Sequence, residues 1–312
     1  MFFITEINFE LEKAIELASS FEFQKAEAIL RRYNNESPEL LEDRHKEALA
    51  ICIYTNHIED GEDLEVMEQA GAEIVGLIKQ KDCSLNEKEC YVSKTVLAIT
   101  DILKTNDPDK SLFWLRFLKP EWLSDEDSVA RNGSLYESKK EKYYLNLTKS
   151  QLQAKKYKQC IESCNEGLIN IKIFRNKTVF HLKYRIAKSN RILENYGEAI
   201  KYLLEIRNGK DWFVDHEIAT NYYNLGDYDD ALKYALIAAL TGKNIFSKKF
   251  LYLLMSEIFS FKDMYEESDD IDDLFILIDS HFDTPEEKNK KLDEKESELR
   301  KRWIEILEDL QV

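Results

Sequence analysis

Apolar positions between residues 141 and 242 recur with the period of an amphipathic α-helix, and one arrangement of them occurs three times. Each occurrence begins with a tyrosine, which small or apolar residues follow three, four, seven and ten positions later. A second stripe lies nine and ten positions before each tyrosine. The pattern predicts three antiparallel helix pairs, and the second helix of each pair opens with Tyr157, Tyr196 or Tyr228.

The position three residues after each tyrosine holds a small side chain, namely Cys160, Ala199 or Ala231. Leucine would bury more area there, so the small residues indicate a close approach of two helices. This pattern resembles the tetratricopeptide repeat (TPR), a helix-turn-helix unit of about 34 residues. The resemblance implies an all-α fold, a TPR-like α-solenoid of antiparallel helix hairpins.

Two further segments follow the repeat less closely. The segment around Phe23, Ala26 and Leu30 has the spacing of a distant fourth copy. The segment from Met255 to Phe282 departs from the pattern, because aspartates occupy positions where the apolar stripe should run. We predict that its second helix rotates and buries a different set, which consists of Ile271, Leu274, Phe275 and Ile278.

The spacing of prolines and glycines divides the chain into four segments. Residues 1–118 form an N-terminal helical region with one degenerate repeat at about 8–38, and residues 119–134 form an irregular connection. Residues 135–282 hold the TPR-like repeats, and residues 283–312 form a C-terminal capping helix. These boundaries are predictions from pattern alone.

The last helix has a clear start signal, because Thr284 can accept a backbone hydrogen bond and Pro285 suits the first turn. A narrow apolar stripe runs along it at Leu292, Leu299, Trp303, Ile306 and Leu310. Such a stripe either caps the end of a helical array or joins two chains as a coiled coil.

Composition supports a helical globular chain. Hydrophobic residues make up 44% of the 312 residues, with only nine glycines and four prolines. The net charge of -16 argues against nucleic acid as a partner of the general surface. Five cysteines at irregular positions fit reduced thiols, and no run of apolar residues is long enough for a membrane span. We predict a cytoplasmic protein, and a monomer is one of the oligomeric states that the sequence leaves open.

Sequence motifs for catalysis are missing from the chain. The five histidines never have the spacing of a metal-binding helix, and neither Gly-rich phosphate loops nor nucleophile elbows occur. Cys160 and Cys164 lie on one helix face, where they are packing thiols rather than metal ligands. The acidic run from Glu266 to Asp273 lacks the glycine of a calcium loop and is best interpreted as a solvated helix face. We predict no enzyme activity, no metal and no cofactor.

The TPR resemblance implies that the first helix of each pair lines an inner groove. In two repeats, five of the twelve groove positions are Lys or Arg and none is Asp or Glu. We predict a partner-binding site for an acidic peptide. Its residues are Lys142, Asn146, Lys149, Tyr184, Arg185, Lys188 and Arg191. Lys149 stands where carboxylate-clamping relatives carry asparagine, so the prediction is a basic groove that binds anions in general. The alternatives are that these cations pair with neighbouring helices, or with the chain's own acidic run at Glu266 to Asp273.

The leading functional hypothesis is a non-catalytic protein–protein interaction scaffold. One alternative is a peptide- or ligand-sensing TPR regulator, and another is a repeat protein that binds single-stranded RNA by stacking bases on Tyr184, Tyr222 and Tyr223. A second, fainter similarity involves the stretch "FWLRFLKPEWLSDED". It also involves Arg207, Asp211 and Trp212, which precede the alanine-rich helix pair. It resembles the helical-repeat protein of bacterial TOTE-type conflict systems, which implies a setting in bacterial defence. The sequence leaves the partner, the pathway and the oligomeric state open.

Overall fold

The computed structural model describes residues 2–78, 90–126, 128–129, 133, 135–175, 177–242, 245–280 and 284–310. Over these residues nearly all of the regular structure is helical, so the predicted all-α fold is confirmed. Two strands of two residues each, β1 (Ser128–Val129) and β2 (Leu135–Tyr136), pair antiparallel. The helices are α1 (Phe2–Ser19), α2 (Phe23–Glu36), α3 (Asp43–His57), α4 (Leu64–Leu77), α5 (Tyr91–Asn106), α6 (Pro108–Leu115), α7 (Lys139–Gln153), α8 (Tyr157–Asn170), α9 (Thr178–Ile192), α10 (Tyr196–Ile206), α11 (Trp212–Leu225), α12 (Tyr228–Leu240), α13 (Lys249–Phe261), α14 (Tyr265–Asp279) and α15 (Pro285–Asp309).

The chain forms two compact units, Met1–Leu182 and Lys183–Val312. In the first unit, consecutive helices pack as pairs: α1 with α2, α3 with α4, α5 with α6, and α7 with α8. In the second unit, α11 packs with α12 and α13 packs with α14, while α15 lies against α12 and α14. Each unit is therefore an array of helix hairpins.

The three predicted helix pairs between residues 141 and 242 are confirmed, because Tyr157, Tyr196 and Tyr228 are the first residues of α8, α10 and α12. Side chains join the two helices in the first two of these pairs. Near the turn of the first pair, Gln151 Nε2 donates to Ser163 Oγ at 3.0 Å. The second pair carries an ion pair of 2.7 Å between Lys183, early in α9, and Glu205, late in α10.

The turns between helices share one backbone conformation, which residue patterns did not reveal. Two residues before the aromatic that opens the second helix, the backbone has a positive φ between 57° and 79°. The next N–H donates to a carbonyl five residues earlier, at 2.8 to 3.0 Å, as in a Schellman motif. The described residues show this turn five times, at Phe21, Lys155, Glu194, Gly226 and Asp263. The segment around Phe23 and the segment after Met255 therefore contain the same hairpin as the three clear repeats.

Small residues allow close packing at the position predicted from the sequence. Ala26, Cys160, Ala199 and Ala231 have no exposed surface, and Ser268 in α14 is also buried. Around Ala231, the α12 alanines join α13, α14 and α15 in one apolar core of the second unit. Alanine on α12 therefore permits short distances between helices.

Helix α14 turns its apolar face as predicted. Ile271, Leu274 and Ile278 are buried and Phe275 is half-buried. The aspartates Asp269 and Asp272, which occupy the usual stripe positions, are exposed. Rotation about the helix axis therefore compensates for the acidic substitutions in the repeat pattern.

Helix α15 begins as predicted, because Thr284 Oγ1 accepts from the backbone N–H of Glu287 at 3.2 Å. Leu292, Leu299 and Trp303 of its stripe are buried in the core of the second unit, and the Trp303 ring stacks on Tyr252 at 6.1 Å between centroids. The stripe thus contacts the chain's own helices.

Two cations close the carboxyl end of α12. Lys248 is buried and its Nζ donates to the carbonyl of Ala239 at 2.7 Å, while Arg300 of α15 donates to the carbonyl of Leu240 at 2.6 Å. These groups satisfy carbonyls that a helix end leaves without partners. The arrangement ties α15 and the 3₁₀ turn at Phe246–Lys248 to the end of α12.

The prediction of reduced thiols needs one correction. Cys52, Cys160 and Cys164 are buried and form no disulfide, which agrees with packing thiols. Cys90, however, is disulfide-bonded. The irregular spacing of the cysteines in the sequence gave no sign of this disulfide. Among the described residues, no helix is long and apolar enough to cross a membrane.

Candidate functional site

The predicted groove residues fall into two sets, one in each unit. Lys142, Asn146 and Lys149 lie on α7 in the first unit. Tyr184, Arg185, Lys188 and Arg191 lie on α9 in the second unit, on one face of the helix.

On α7, the side chains face the neighbouring helix α5. Lys142 Nζ lies 3.0 Å from Asp101 Oδ2, and Lys104 forms a second ion pair with the same carboxylate. These two lysines hold the pKa of Asp101 below its ordinary value against the opposing effect of burial. One carboxylate therefore serves two cations at this face.

Asn146 is buried between the same two helices. Its Nδ2 donates to Thr100 Oγ1 at 3.1 Å, and its Oδ1 accepts from Lys104 Nζ at 3.2 Å. Asn146 thus orients Lys104 and has almost no exposed surface. Lys149, one helical turn further along, is half-buried.

The start of α7 is fixed by a reciprocal capping box. Ser138 Oγ accepts from the N–H of Glu141, and the Glu141 carboxylate accepts from the N–H of Ser138 at 3.0 Å. The other oxygen of Glu141 accepts from the N–H of Arg175 at 2.7 Å. This buried carboxylate sets the position of α7 relative to the segment that leads into α9.

On α9, three of the four predicted residues gather around Glu217 of α11. Arg191 Nε lies 3.0 Å from Glu217 Oε2, and Lys188 Nζ lies 3.7 Å from Oε1. The Tyr184 hydroxyl lies 3.5 Å from Oε1 as a long hydrogen-bond donor. Lys188 also lies 5.6 Å from the centroid of the Tyr184 ring, within the range of a cation–π contact.

The electrostatics of this cluster favour an anion. Burial and the neighbouring carboxylate raise the pKa of Tyr184, so its hydroxyl stays protonated and remains a donor. Burial lowers the pKa of His216, next to Glu217 in the chain, and the positive charges of Arg191 and Lys188 also lower it. His216 is therefore neutral at pH 7, and Glu217 is the single anion paired with Lys188 and Arg191 by the contacts above.

The sequence analysis missed Glu217 and Asp101. Glu217 occupies on α11 the repeat position that Arg185 holds on α9, so extending the same numbering by one repeat would have found it. Asp101 lies on α5, in a stretch without a clear repeat signature, and only the packing of α5 against α7 reveals it. Lys142, Lys188 and Arg191 therefore each pair with a carboxylate of a neighbouring helix.

The chain's own acidic run does not fill the α9 face. Carboxylates of this run pair with α15, where Arg302 Nη2 lies 2.8 Å from Glu267 and Lys295 Nζ lies 2.8 Å from Asp270, while Asp269 and Asp272 are exposed. The hypothesis that this run supplies an internal anion for the groove is therefore wrong for these residues. Among the described residues, no group of three His, Cys, Asp or Glu side chains could hold a metal ion.

Other aromatic residues considered from the sequence have partners within the fold. Trp114 is buried and donates to Glu68 at 3.1 Å, and Trp122 is half-buried beneath Lys119. Tyr222 stacks on Tyr234, with 5.6 Å between ring centroids. The aromatic rings closest to the α9 cluster are Tyr184 and Phe213, which meet edge to face at 5.6 Å.

The fold and this cluster define an all-helical repeat protein with a cationic face on α9. Among solved structures, the chain is similar to PilF of Pseudomonas aeruginosa, with 14% sequence identity and a TM-score of 0.37. That match covers 81% of this chain and 96% of the PilF chain. No protein-family model and no curated protein sequence matches the chain.

Proposed function

We propose that the chain is a non-catalytic protein–protein interaction scaffold that binds an acidic peptide segment of a partner on the α9 face. The observation that carries the proposal is that Lys188 and Arg191 share one carboxylate, Glu217. This local excess of positive charge occurs in a chain with 44 basic and 60 acidic residues. An anionic ligand would relieve the repulsion between the two cations.

The geometry suits carboxylates in particular. Arg191 presents a planar guanidinium, which can bind an oxygen pair, and Lys188 presents a mobile ammonium. Both side chains are about one third exposed, so part of each remains accessible to a ligand. Arg185 lies on the same helical face and extends the cationic surface toward the middle of α9.

The α7 face, within the first unit, carries a separate set of cations that we propose as a second binding face. Lys142 and Lys104 share Asp101 as Lys188 and Arg191 share Glu217. Asn146 contributes by holding Lys104 in place, and Lys149 lies one turn further along. The proposal thus assigns to each unit a face on which two cations meet a single carboxylate.

A charge-reversal experiment tests the proposal. The double variant Arg185→Glu with Lys188→Glu should lose binding to a fluorescently labelled glutamate-rich peptide, because two like charges replace two attractive ones. Such surface changes usually alter stability by less than about 0.5 kcal/mol, so the fold should persist. The matched control, Lys201→Glu with Lys290→Glu, reverses two exposed lysines on α10 and α15 and should bind like the wild type.

The outcome that would contradict the proposal is equal peptide binding by the double variant and the wild type. A labelled oligouridylate serves as the competing probe. Tight, steeply salt-dependent binding of the RNA with no binding of the peptide would instead support the RNA alternative, since counterion release dominates nucleic-acid binding.

A further inference from the structure

Helix α13 is apolar around most of its circumference, yet one of its faces is exposed. Leu251, Met255 and Ile258 are buried in the core of the second unit. On the opposite face, the exposed fractions are 74% for Phe250, 38% for Leu253 and 57% for Phe261. A helix that is hydrophobic on all sides is usually covered on all sides.

The exposed face of α13 continues the layer formed by α9 and α11. Phe261 contacts Tyr223 of α11, with 5.8 Å between ring centroids, and burial together with the nearby Glu257 carboxylate of α13 raises the pKa of Tyr223. Glu217 of α11 in turn pairs with Lys188 and Arg191 of α9. Within the second unit, the layer therefore changes from cationic at α9 to apolar at α13.

The charges at the two ends of this layer determine the orientation in which a ligand would bind. Glu257 is exposed on the apolar face of α13, between Leu253 and Phe261. A ligand carboxylate placed there would be repelled, while the same carboxylate over Lys188 and Arg191 would be attracted. Charge complementarity therefore favours a ligand with its acidic part over α9 and its apolar part over α13.

We infer that the partner segment has two blocks, a cluster of acidic residues that binds α9 and a cluster of large apolar residues that covers Phe250, Leu253 and Phe261. This inference rests on the proposed function and specifies its ligand. Neighbouring helices lie about 8–10 Å apart, so α9 and α13 are about 20 Å apart. An extended peptide rises about 3.3 Å per residue, so about six residues separate the centres of the two blocks.

Three labelled peptides test the inference in binding titrations with the full chain. The first contains only the acidic block, the second adds a leucine- and phenylalanine-rich block about six residues away, and the third has the same composition with the blocks adjacent. The second should bind at least about tenfold more tightly than the first and the third, because burial of several apolar side chains adds affinity.

Substitutions on α13 should remove that advantage. In Phe250→Ser with Leu253→Ser and Phe261→Ser, the second peptide should bind no more tightly than the first. Because Phe261 also stacks on Tyr228, the variant with only Phe250→Ser and Leu253→Ser repeats the test if the triple variant unfolds by circular dichroism. The matched control replaces apolar residues that are exposed elsewhere, Phe21→Ser with Ile169→Ser, and should retain the wild-type preference.

The outcomes separate this inference from the proposed function. Equal binding of the first and second peptides would overturn the two-block ligand and leave the acidic-peptide scaffold standing. If no peptide binds the wild type, both are overturned. Sedimentation equilibrium completes the test, because a dimer that the α13 substitutions convert into a monomer would show that a second copy of the chain covers this face.

Discussion

Ser268 donates its hydroxyl to the carbonyl oxygen of Ser256 at 3.1 Å, and this bond joins α13 to α14. Cys160 and Thr148 make the same connection between α7 and α8, with 3.3 Å from the thiol sulfur to the carbonyl oxygen. Both donors lie three residues after the aromatic that opens the second helix, and both acceptors lie nine residues before it. The repeat therefore places a small side chain against the backbone of the facing helix.

Enlarging this small side chain should destabilise the array. Ala231→Leu and Ala26→Leu should each lower the free energy of unfolding by about 1 to 3 kcal/mol, because both alanines are buried and extra methylenes cause overpacking. Ala28→Leu is the matched control, since Ala28 lies on the same helix as Ala26 but is exposed. Urea denaturation of the three variants checks the prediction, and a neutral effect at Ala231 would show that the close contact is absent.

The positive-φ turns predict opposite effects for two substitutions. Glu194 has a φ of 63°, which is costly for a residue with a Cβ atom, whereas Gly226 holds the equivalent place with a φ of 79°. Glu194→Gly should raise the free energy of unfolding by about 0.5 to 1 kcal/mol, and Gly226→Ala should lower it by about 1 kcal/mol. Thermal melts of the pair provide the measurement. Changes of the same sign in both variants would contradict the turn assignment.

The ring of Trp303 should account for much of the attachment of α15. Trp303→Ala should cost about 3 to 5 kcal/mol of unfolding free energy, because the side chain fills the core beside Tyr252. Its neighbour Ile304 is exposed, so Ile304→Ala should change stability by less than about 0.5 kcal/mol. A similar loss in both variants would mean that the helix contributes through its length rather than through the buried stripe.

Removal of residues 284–312 tests the two hypotheses for the last helix. Because Leu292, Leu299 and Trp303 cover the core of the second unit, their removal should expose apolar surface and lower the melting temperature, followed by aggregation of a monomer. Analytical ultracentrifugation before and after the deletion is the measurement. A full-length dimer that becomes a stable monomer would identify the stripe as a seam between chains.

Burial lowers the pKa of Lys248 from its ordinary value of 10.5 to about 8, with Glu296 opposing and Arg300 reinforcing the shift. Between these two pH values the unfolded chain binds a proton that the folded chain has released, so stability rises with pH in this window. The unfolding free energy of the wild type relative to Lys248→Met should therefore increase by roughly 1 to 3 kcal/mol across it. Urea titrations of both proteins at several pH values provide the measurement. A difference in unfolding free energy that does not change between pH 8 and 10.5 would contradict the prediction.

Residue spacing was sufficient to place the helix hairpins, because small residues at a fixed distance from an aromatic reflect a local packing requirement. It also predicted the rotation of α14, since Asp269 and Asp272 could not face the core. The turn conformation escaped prediction because residues as different as Phe21, Lys155 and Glu194 adopt it. Backbone hydrogen bonds rather than side-chain types define that turn.

The site was predicted only in part, because its ion pairs depend on how neighbouring helices pack. Periodicity placed Lys188 and Arg191 on one face of α9, but it could not show that Glu217 would lie between them. That contact depends on how α11 packs against α9. Asn146 illustrates the same limit, because only the packing of α5 against α7 shows that its side chain is buried.

The repeated turn also provides equivalent labelling sites for distance measurements. Its positive-φ residue is exposed in each of the five described turns, at Phe21, Lys155, Glu194, Gly226 and Asp263. Cysteines introduced there would carry spectroscopic labels at equivalent points of successive hairpins, while Cys52, Cys160 and Cys164 are buried and would react slowly. Distances between labels at Glu194, Gly226 and Asp263 would then measure the spacing of hairpins within the second unit in solution, and any change on ligand binding would report extension or compression of that unit.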